Sequence, residues 1–487
     1  MRLSDLVGPQ FSLPEGASDL DIKGLGADSR EVAKGYLFAA FPGTQADGAQ
    51  FVDDAIAKGA AAILTSEKAL ESQDLAVPVI EAPDPRRSFA LMAARFYGAQ
   101  PETAAAVTGT NGKTSVVSFL QQIWLGLGFN AASIGTVGMI ANNERRVLGY
   151  TTPDPVSLHG ILAELAKSGT THLALEASSH GLKQRRLDGV KLKAAAFTNI
   201  TRDHLDYHGD FEDYEAQKMR LFDELLPDDG TVVVNADALH ADIVYEIAEQ
   251  RKLRLLTVGR NGQDLQLEAS EPKRFGQQLR IGCDGQSYDV ALPLVGAFQT
   301  SNALVAAGLA LACGGEADAV LPLLSQIKGA PGRLEHVGTA KNGAPVFIDY
   351  AHSPDALANA LDALRPYAKK RLLVVFGCGG DRDKGKRPLM GAIAGDRADL
   401  VFVTDDNPRS EDAAKIRMEI LKSIPDAKEV GDRSQAIAAA IASASKGDVV
   451  LVAGKGHETG QIIGDEVLPF SDHDAVAAAL DGQGTNG

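Results

Sequence analysis

At 487 residues, 45% apolar and 23% charged, the chain has length for two to four domains with cores of their own. Its formal charge of −16 excludes nucleic-acid binding through a basic surface, so an anionic ligand must meet local basic loops. Cys283, Cys313 and Cys378 form no CxxC, which fits a reduced cytoplasmic protein, and with neither a signal-peptide pattern in MRLSDLVGPQ nor an apolar run near ~20 residues, no membrane association is expected.

The first block, residues 1–100, reads as short α/β units, with apolar strands at 36–40 and 60–64. A central block, 101–330, opens on AVTGTNGKTSVV at 106–117. Ala104, Ala105, Ala106 and Val107 end a buried strand, and Val116, Val117, Phe119, Leu120 and Ile123 recur at helical spacing. The glycines between them sit where free backbone N–H groups and the helix dipole favour an anion. Lys113 is placed to reach β/γ-phosphates, and the hydroxyl of Thr114 or Ser115 to hold Mg²⁺. The first glycine stands at 109, not at 107 as in G-x-x-x-x-G-K-[ST], which points to a variant phosphate loop.

Glu176 follows the apolar Leu173, Ala174 and Leu175, so it reads either as a surface carboxylate or as a metal ligand near the phosphate loop. Further strands are expected at 194–198 and 231–234. DHLDYH at 203–208 places His204 and His208 four apart, on one face if helical. No HExxH glutamate accompanies them, which favours a strand-end Mg²⁺ or substrate role over a zinc pair. Alternation such as Leu265-Gln266-Leu267-Glu268 suggests an antiparallel excursion over 255–295, and 329–333 reads as a linker.

The last block, 331–487, is the most regular. Short apolar strands at 346–348, 372–376, 400–403 and 449–452 alternate with helical segments, the pattern of a parallel sheet. Each runs into a polar loop: DYAHSPD, GCGGDRDKGKRP, TDDNPRSED and AGKGHETG. Ligands of open α/β sheets bind outside the carboxyl ends of the strands, so the four loops read as one site. Singly they are weak. Gly377-Cys378-Gly379-Gly380 fits a plain strand-to-helix turn, and Arg382, Lys384, Lys386 and Arg387 fit a solvated charged face.

Taken in order, these motifs resemble the Mur ligases, ATP-dependent amide ligases that build the peptidoglycan stem peptide. The resemblance covers essentially the whole chain. It rests on DSR at 28–30, TQADG at 44–48, TGTNGKTS at 108–115, TTPD at 151–154, EASSHGLKQRR at 176–186 and TRDHLDYHG at 201–209. YEAQK at 214–218, GRLE at 332–335, DYAHSPDAL at 349–357, DNPRS at 406–410 and GKGHE at 454–458 extend it. It implies three α/β domains: an N-terminal UDP-binding domain (1–100), a central P-loop ATPase-like parallel-sheet domain with an antiparallel excursion (101–330), and a C-terminal Rossmann-like amino-acid-binding domain (331–487). It further implies a monomer that uses ATP and Mg²⁺ to join meso-diaminopimelate to the D-Glu γ-carboxylate of UDP-N-acetylmuramoyl-L-Ala-D-Glu. An acyl phosphate is the expected intermediate, with domain closure keeping water from it.

The resemblance also assigns roles. Gly109, Thr110, Asn111, Gly112, Lys113, Thr114, Ser115, Asn302, Arg333, Asp349 and His352 would bind ATP. Ser29, Thr44, Gln45, Ala46, Thr151, Thr152, Ser178, Gln184 and Arg186 would bind the UDP substrate. Thr114, Glu176, His204 and Lys218 would hold Mg²⁺, the lysine as a carbamate, and Lys113, Glu176, His204 and Lys218 would carry catalysis. Arg382, Asp406, Asn407, Pro408, Arg409, Gly454 and Glu458 would bind diaminopimelate, and lysine-adding relatives lack an arginine at the place of Arg409. Tyr150 departs from the asparagine expected there. A lysine-adding ligase, a folylpolyglutamate synthase-like enzyme and a nucleotide-binding switch or scaffold remain open as other readings.

Overall fold

The computed structural model describes all residues except 44–46, 68, 71–74, 143, 202, 204 and 483–487, and only the backbone of Leu205 and Asp206. The chain divides into two compact units, Met1–Gln263 with Val305–Glu316, and Asp264–Leu304 with Ala317–Gly487.

The first unit begins with a four-stranded parallel sheet of β1 (Gly24–Gly26), β2 (Tyr36–Ala40), β3 (Ala62–Ser66) and β4 (Val79–Ala82), in that order. Both faces are covered. Leu37, Ala39 and Leu64 pack with Leu3, Leu6 and Phe89, while Phe38, Ala40 and Ile63 pack with Val52 and Ala55. Burial on both faces is why these strands are unbroken apolar runs. The run at 60–64 starts too early for the strand, because Ala60 and Ala61 leave the helix Val52–Ala57, with the Ala60 N–H donating to the Ala55 carbonyl (2.9 Å).

The same unit then builds β5 (Thr103–Thr108), β6 (Ala131–Gly135), β7 (Gly138–Ala141), β8 (Glu144–Arg146), β9 (His172–Glu176), β10 (Ala194–Phe197), β11 (Thr231–Asn235) and β12 (Arg254–Gly259). They stand side by side in the order β12-β11-β10-β5-β9-β6-β7-β8. The run from β12 to β6 is parallel, and β7 and β8 fold back antiparallel. Register sets Val107 opposite Glu176 and Thr108 opposite Phe197, so the carboxyl ends of β5, β9 and β10 are neighbours.

In the second unit, β13 (Leu265–Lys273), β14 (Gly276–Cys283) and β15 (Gln286–Leu292) form an antiparallel meander. The excursion expected over 255–295 is thus antiparallel only from Leu265, since β12 runs parallel to β11. The sheet that follows holds β16 (Glu335–Thr339), β17 (Pro345–Asp349), β18 (Leu372–Phe376), β19 (Leu400–Val403), β20 (Lys428–Glu429) and β21 (Val449–Ala453), in the order β16-β17-β21-β18-β19-β20. All pairs are parallel except β16 with β17. Alternate strand residues serve two cores, Phe347, Leu372, Val374 and Phe376 on one face, Val346, Ile348, Leu373 and Val375 on the other. A hairpin of β22 (Gly460–Ile463) and β23 (Glu466–Pro469) follows β21. No helix among the described residues is long and apolar enough to cross a membrane.

Candidate active site

β5 ends at Thr108, and the helix Lys113–Gly126 begins after a four-residue loop. Gly112 turns that loop with φ 90°, a conformation only glycine adopts without strain. A Cβ at Gly109 would overlap Thr198 Oγ1, which explains a glycine at this position of the variant loop. The chain leaving β10 clamps the loop. Thr110 N–H donates to the Asn199 carbonyl (2.8 Å), Asn111 N–H to Asn199 Oδ1 (3.0 Å), and the Thr198 hydroxyl to the Asn111 carbonyl (2.6 Å). Thr110 Oγ1 accepts from Thr201 N–H (2.9 Å) and lies 2.9 Å from the Tyr214 hydroxyl. Lys113 Nζ donates to the carbonyls of Gly109 (2.8 Å) and Thr110 (2.9 Å), so its charge lies over the loop. Thr114 and Ser115 are buried in the first helical turn, where backbone N–H groups lack intrahelical acceptors.

Glu176 closes β9 and is buried. Its Oε1 accepts Thr136 N–H (2.8 Å) and its Oε2 the Thr136 hydroxyl (3.1 Å), and a Cβ on Gly135 would overlap this carboxylate. The surface-carboxylate reading is therefore wrong. Thr136 Oγ1 lies 3.1 Å from Thr151 Oγ1. The Thr152 hydroxyl donates to the Glu176 carbonyl (2.8 Å) and lies 3.0 Å from Ser178 Oγ, which caps the helix Ser179–Lys183. Arg186 Nη1 donates to the Thr152 carbonyl (2.6 Å), and its Nε and Nη2 to Gln184 Oε1 (3.1 and 2.7 Å). Burial pulls the Arg186 guanidinium below its ordinary pKa, and it lies 4.7 Å from the centre of the Tyr150 ring. Thr151, Thr152, Ser178, Gln184 and Arg186 are thus one network attached to Glu176. Ser29 is buried elsewhere in this unit, its carbonyl accepting from Lys58 Nζ (2.9 Å). Thr44, Gln45, Ala46 and His204 lie outside the described residues.

Lys218, on the helix Phe211–Arg220, is 1% exposed and donates through Nζ to the Gly109 carbonyl (2.7 Å), the oxygen that Lys113 also uses. Burial, reinforced by the charge of Lys113, pushes its pKa well below the ordinary lysine value. A Mg²⁺ site needs hard oxygen donors, which Glu176 and the Thr114 hydroxyl offer. Among the described residues no three His, Cys, Asp or Glu side chains are grouped to hold a metal. An ammonium at 218 would repel the cation, whereas the neutral amine that this burial favours is the form able to take up CO₂ as a carbamate. Glu176 and Thr114 have the oxygen chemistry that Mg²⁺ takes, and a carbamate on Lys218 would add to it.

In the second unit, Asn302 donates to Gln299 Oε1 (3.1 Å), and Gln299 to the Arg333 carbonyl (3.1 Å). The Arg333 guanidinium lies 4.7 Å from the centre of the Tyr350 ring. Burial raises Asp349 to about 6, although Arg333 and the Leu334 N–H (2.6 Å) favour its anion. His352 is exposed, its Nδ1 2.8 Å from the Tyr350 carbonyl. A Cβ on Gly332 would overlap the backbone at Gly456 and His457, so the GRLE segment lies against the GKGH loop.

The loops after β19 and β21 share a polar cluster. Asn407 N–H donates to Asp406 Oδ1 (2.7 Å), and Asn407 Nδ2 to Glu458 Oε2 (3.0 Å). Lys455 Nζ donates to Asn407 Oδ1 (2.9 Å) and Glu458 Oε2 (3.0 Å). Strand β22 runs along the DNPR segment: Gln461 Nε2 donates to the Asp406 carbonyl (2.7 Å), Arg409 N–H to the Ile462 carbonyl (3.0 Å), and Gly464 N–H to the Arg409 carbonyl (2.8 Å). Arg409 has φ 52°, unusual for a residue with a Cβ, and its Nη1 donates to the Gly380 carbonyl (2.9 Å). A Cβ on Gly380 would overlap the Pro408 carbonyl, and one on Gly454 would come within 2.8 Å of Asp406 Oδ2. Behind Gly454, the fully buried pair Arg433–Asp472 (2.7 Å) donates through Arg433 Nη2 to the Ala453 carbonyl (2.9 Å).

Arg382 is exposed and donates to the Asp381 carbonyl (3.3 Å), outside this cluster. The solvated-face reading fails for Arg387, which is 0% exposed and bonded to Glu411 (2.9 Å) and Glu419 (2.8 Å). Sequence reasoning also passed over Thr136, Thr198, Asn199, Tyr214 and Lys455. Of these Tyr214 and Lys455 lay inside quoted motifs, YEAQK and GKGHE.

Residues 21–97 match the Mur ligase family catalytic domain, 107–310 the Mur ligase middle domain, and 332–456 the Mur ligase glutamate ligase domain. The chain is 52% identical over 484 residues to the UDP-N-acetylmuramoyl-L-alanyl-D-glutamate–2,6-diaminopimelate ligase of Bradyrhizobium diazoefficiens, covering 99% of both chains. It is 53% identical over 485 residues to that of Agrobacterium fabrum, covering 99% of this chain and 98% of the other. A solved structure of a UDP-N-acetylmuramoyl-L-alanyl-D-glutamate–2,6-diaminopimelate ligase superposes with a TM-score of 0.75 at 32% identity, covering 100% of both. A folylpolyglutamate synthase of Mycobacterium tuberculosis shares the fold, at TM-score 0.63 and 18% identity over 76% of this chain and 91% of that one. With end-to-end relatives above half identity and a phosphate loop, strand-end glutamate and strand-end loops disposed as described, the chain belongs to the Mur ligase family.

Proposed function

We propose that this chain is an ATP-dependent ligase that joins meso-2,6-diaminopimelate to the D-Glu γ-carboxylate of UDP-N-acetylmuramoyl-L-Ala-D-Glu in peptidoglycan synthesis. The observation that carries this reading is the network that ties Thr151, Thr152, Ser178 and Arg186 to Glu176, one strand away from the phosphate loop. Full-length identity to ligases named for that reaction supports it.

In this reading residues 1–100 hold the uridine nucleotide through Ser29 and the 44–46 segment, 101–330 handle ATP and the muramoyl dipeptide, and 331–487 receive the amino acid. Gly109 to Ser115 cradle the phosphates, with Asn302, Arg333, Asp349 and His352 as further ATP contacts. A carboxylate is a poor electrophile. ATP therefore phosphorylates the D-Glu γ-carboxylate, the diaminopimelate amine attacks the acyl phosphate, and phosphate leaves from the tetrahedral intermediate. Lys113 moves from the loop carbonyls to the β/γ-phosphates and offsets charge as the phosphoryl group transfers. Thr114, Glu176, His204 and Lys218, the last as a carbamate, would hold Mg²⁺, which would supply further charge neutralisation. Arg186 and Ser178 orient the dipeptide. Asp406, Asn407, Pro408, Arg409, Gly454 and Glu458, flanked by Arg382, receive diaminopimelate, with the planar fork of Arg409 on its distal carboxylate.

The test is phosphate release with the UDP-muramoyl dipeptide and a panel of amino acids. Release that requires the dipeptide and is strong only with meso-diaminopimelate is the expected result. Release without any amine would mark a nucleotide switch, and equal use of lysine a lysine-adding ligase.

A further inference from the structure

Lys455 is the most completely buried lysine in the strand-end loops. It is 0% exposed, although it carries a charge-bearing group at a site built to admit solvent and ligand. A buried ammonium persists only with paired, hydrogen-bonded partners, and here both partners belong to the amino-acid site. Its Nζ lies 2.9 Å from Asn407 Oδ1 and 3.0 Å from Glu458 Oε2. Asn407 Oδ1 also accepts the Ile462 N–H of β22 (3.0 Å). With two donors on Oδ1, the amide orientation of Asn407 is fixed, and its Nδ2 turns to Glu458 Oε2 (3.0 Å).

Glu458 Oε2 thereby receives two donors, Lys455 and Asn407, and the Tyr350 hydroxyl is a further hydrogen-bond partner of this carboxylate. Its side chain nevertheless remains 32% exposed, so this anchored carboxylate is still open to a ligand. A carboxylate held in this way is suited to accept an ammonium group at a set position. We propose that Lys455 is a positioning residue that pins Asn407 and Glu458 so that Glu458 receives the ammonium end of the incoming diamino acid. It acts through those two side chains and does not touch the ligand. The inference rests on the reading that these loops bind diaminopimelate.

The test is steady-state kinetics of the full-length enzyme with ATP, the UDP-muramoyl dipeptide and diaminopimelate varied in turn. Lys455→Met removes the ammonium while filling most of its volume. The expected result is an increase of about 10- to 100-fold in KM for diaminopimelate, the loss of two charge-assisted hydrogen bonds, with KM for ATP and dipeptide within about two-fold. Lys455→Arg, which keeps a cation in place, should recover part of that loss. The double variant Lys455→Met/Asn407→Leu should raise KM by less than the product of the two single effects, because part of the first acts through the second. An unchanged KM for diaminopimelate in Lys455→Met, or equal rises for all three substrates, would overturn the inference. If Lys455→Met does not fold, a crystal structure of the wild type with diaminopimelate decides. Lys455 bonded to Asn407 and Glu458, with the Glu458 carboxylate on the ligand amine, supports the inference, and Lys455 on the ligand itself refutes it. A wild type that does not use diaminopimelate sinks the functional reading instead, which separates the two failures.

Discussion

Two lysines converge on one carbonyl oxygen, that of Gly109, and their fates differ. In the proposed reading Lys113 is the one that turns to the phosphates. Lys113→Ala is expected to lower kcat by about 10²–10³-fold or more with the fold intact, by analogy with loss of one transition-state donor. Near-normal turnover in the folded variant would remove the phosphate-loop assignment. Lys218 is the buried partner, its pKa pushed well below the ordinary lysine value by burial and by the charge of Lys113. Lys218→Ala should be almost inactive yet partly restored by added short carboxylates, which can supply an oxygen ligand, and full activity in the untreated variant would refute the carbamate role. Asp349 makes the pH prediction. Its folded-state value is raised to about 6 from 3.8, so the folded protein binds a proton more tightly than the unfolded chain between these values. Stability from this group is present below about pH 4 and lost as pH rises through about 6. Comparing urea unfolding of wild type and Asp349→Asn at pH 4 and 7, wild type should lose more, on the order of 3 kcal/mol at most. Parallel pH curves would show that Asp349 ionises freely. The place of Lys113 at a strand-to-helix junction was legible from GKTS, whereas Glu176 stayed open between a surface and a site reading and Arg409 drew its role from the resemblance. Thr136, Thr198 and Asn199 were not legible, because they are ordinary polar residues whose work arises only when strand ends meet.

The strands were the easiest elements to read, for a physical reason. β2, β11, β18, β19 and β21 are buried on both faces, so each is an unbroken apolar run. β16, β20 and the β22–β23 hairpin escaped, being partly or fully exposed and carrying little apolar pattern. That omission matters, because β22 holds the segment bearing Arg409. Its hydrogen bonds with the Arg409 backbone and Asp406 keep Arg409 at positive φ, and Gly380 leaves room for Pro408 beside it. Diaminopimelate and lysine differ by one distal carboxylate, so discrimination needs a fixed cation, and this loop fixes one. If Arg409 receives that carboxylate as proposed, lysine would leave the guanidinium without a counter-charge, and rejection of lysine by about 10⁴-fold or more in kcat/KM is expected. Arg409→Ala should lose diaminopimelate activity far more than affinity for ATP or the UDP substrate. Competition assays with both amino acids measure this, and an unchanged preference in the variant would assign the choice elsewhere.

Across the whole molecule, the alternation of strand and helix was readable from periodicity. The grouping of Asp264–Leu304 with the second compact unit was not, since the sequence order places it among central-block strands while its long-range pairings decide its company. The Arg433–Asp472 pair is another long-range tie, and it bears on how the chain can be handled at the bench. Asp472 opens the helix Asp472–Gly482, so trimming the protein back to residue 470 would strand a guanidinium in the interior. Breaking a buried pair in this way costs roughly 3–5 kcal/mol, a large part of an ordinary folding free energy. A truncated protein ending at 470 should therefore melt well below the full chain in a thermal scan, and equal melting would show the pair to be dispensable. At the other end, the Met1 ammonium pairs with the exposed Asp21 (3.0 Å), an interaction cheap to lose. Affinity tags and fusion partners therefore belong ahead of Met1, and crystallisation variants should not be shortened past Asp472.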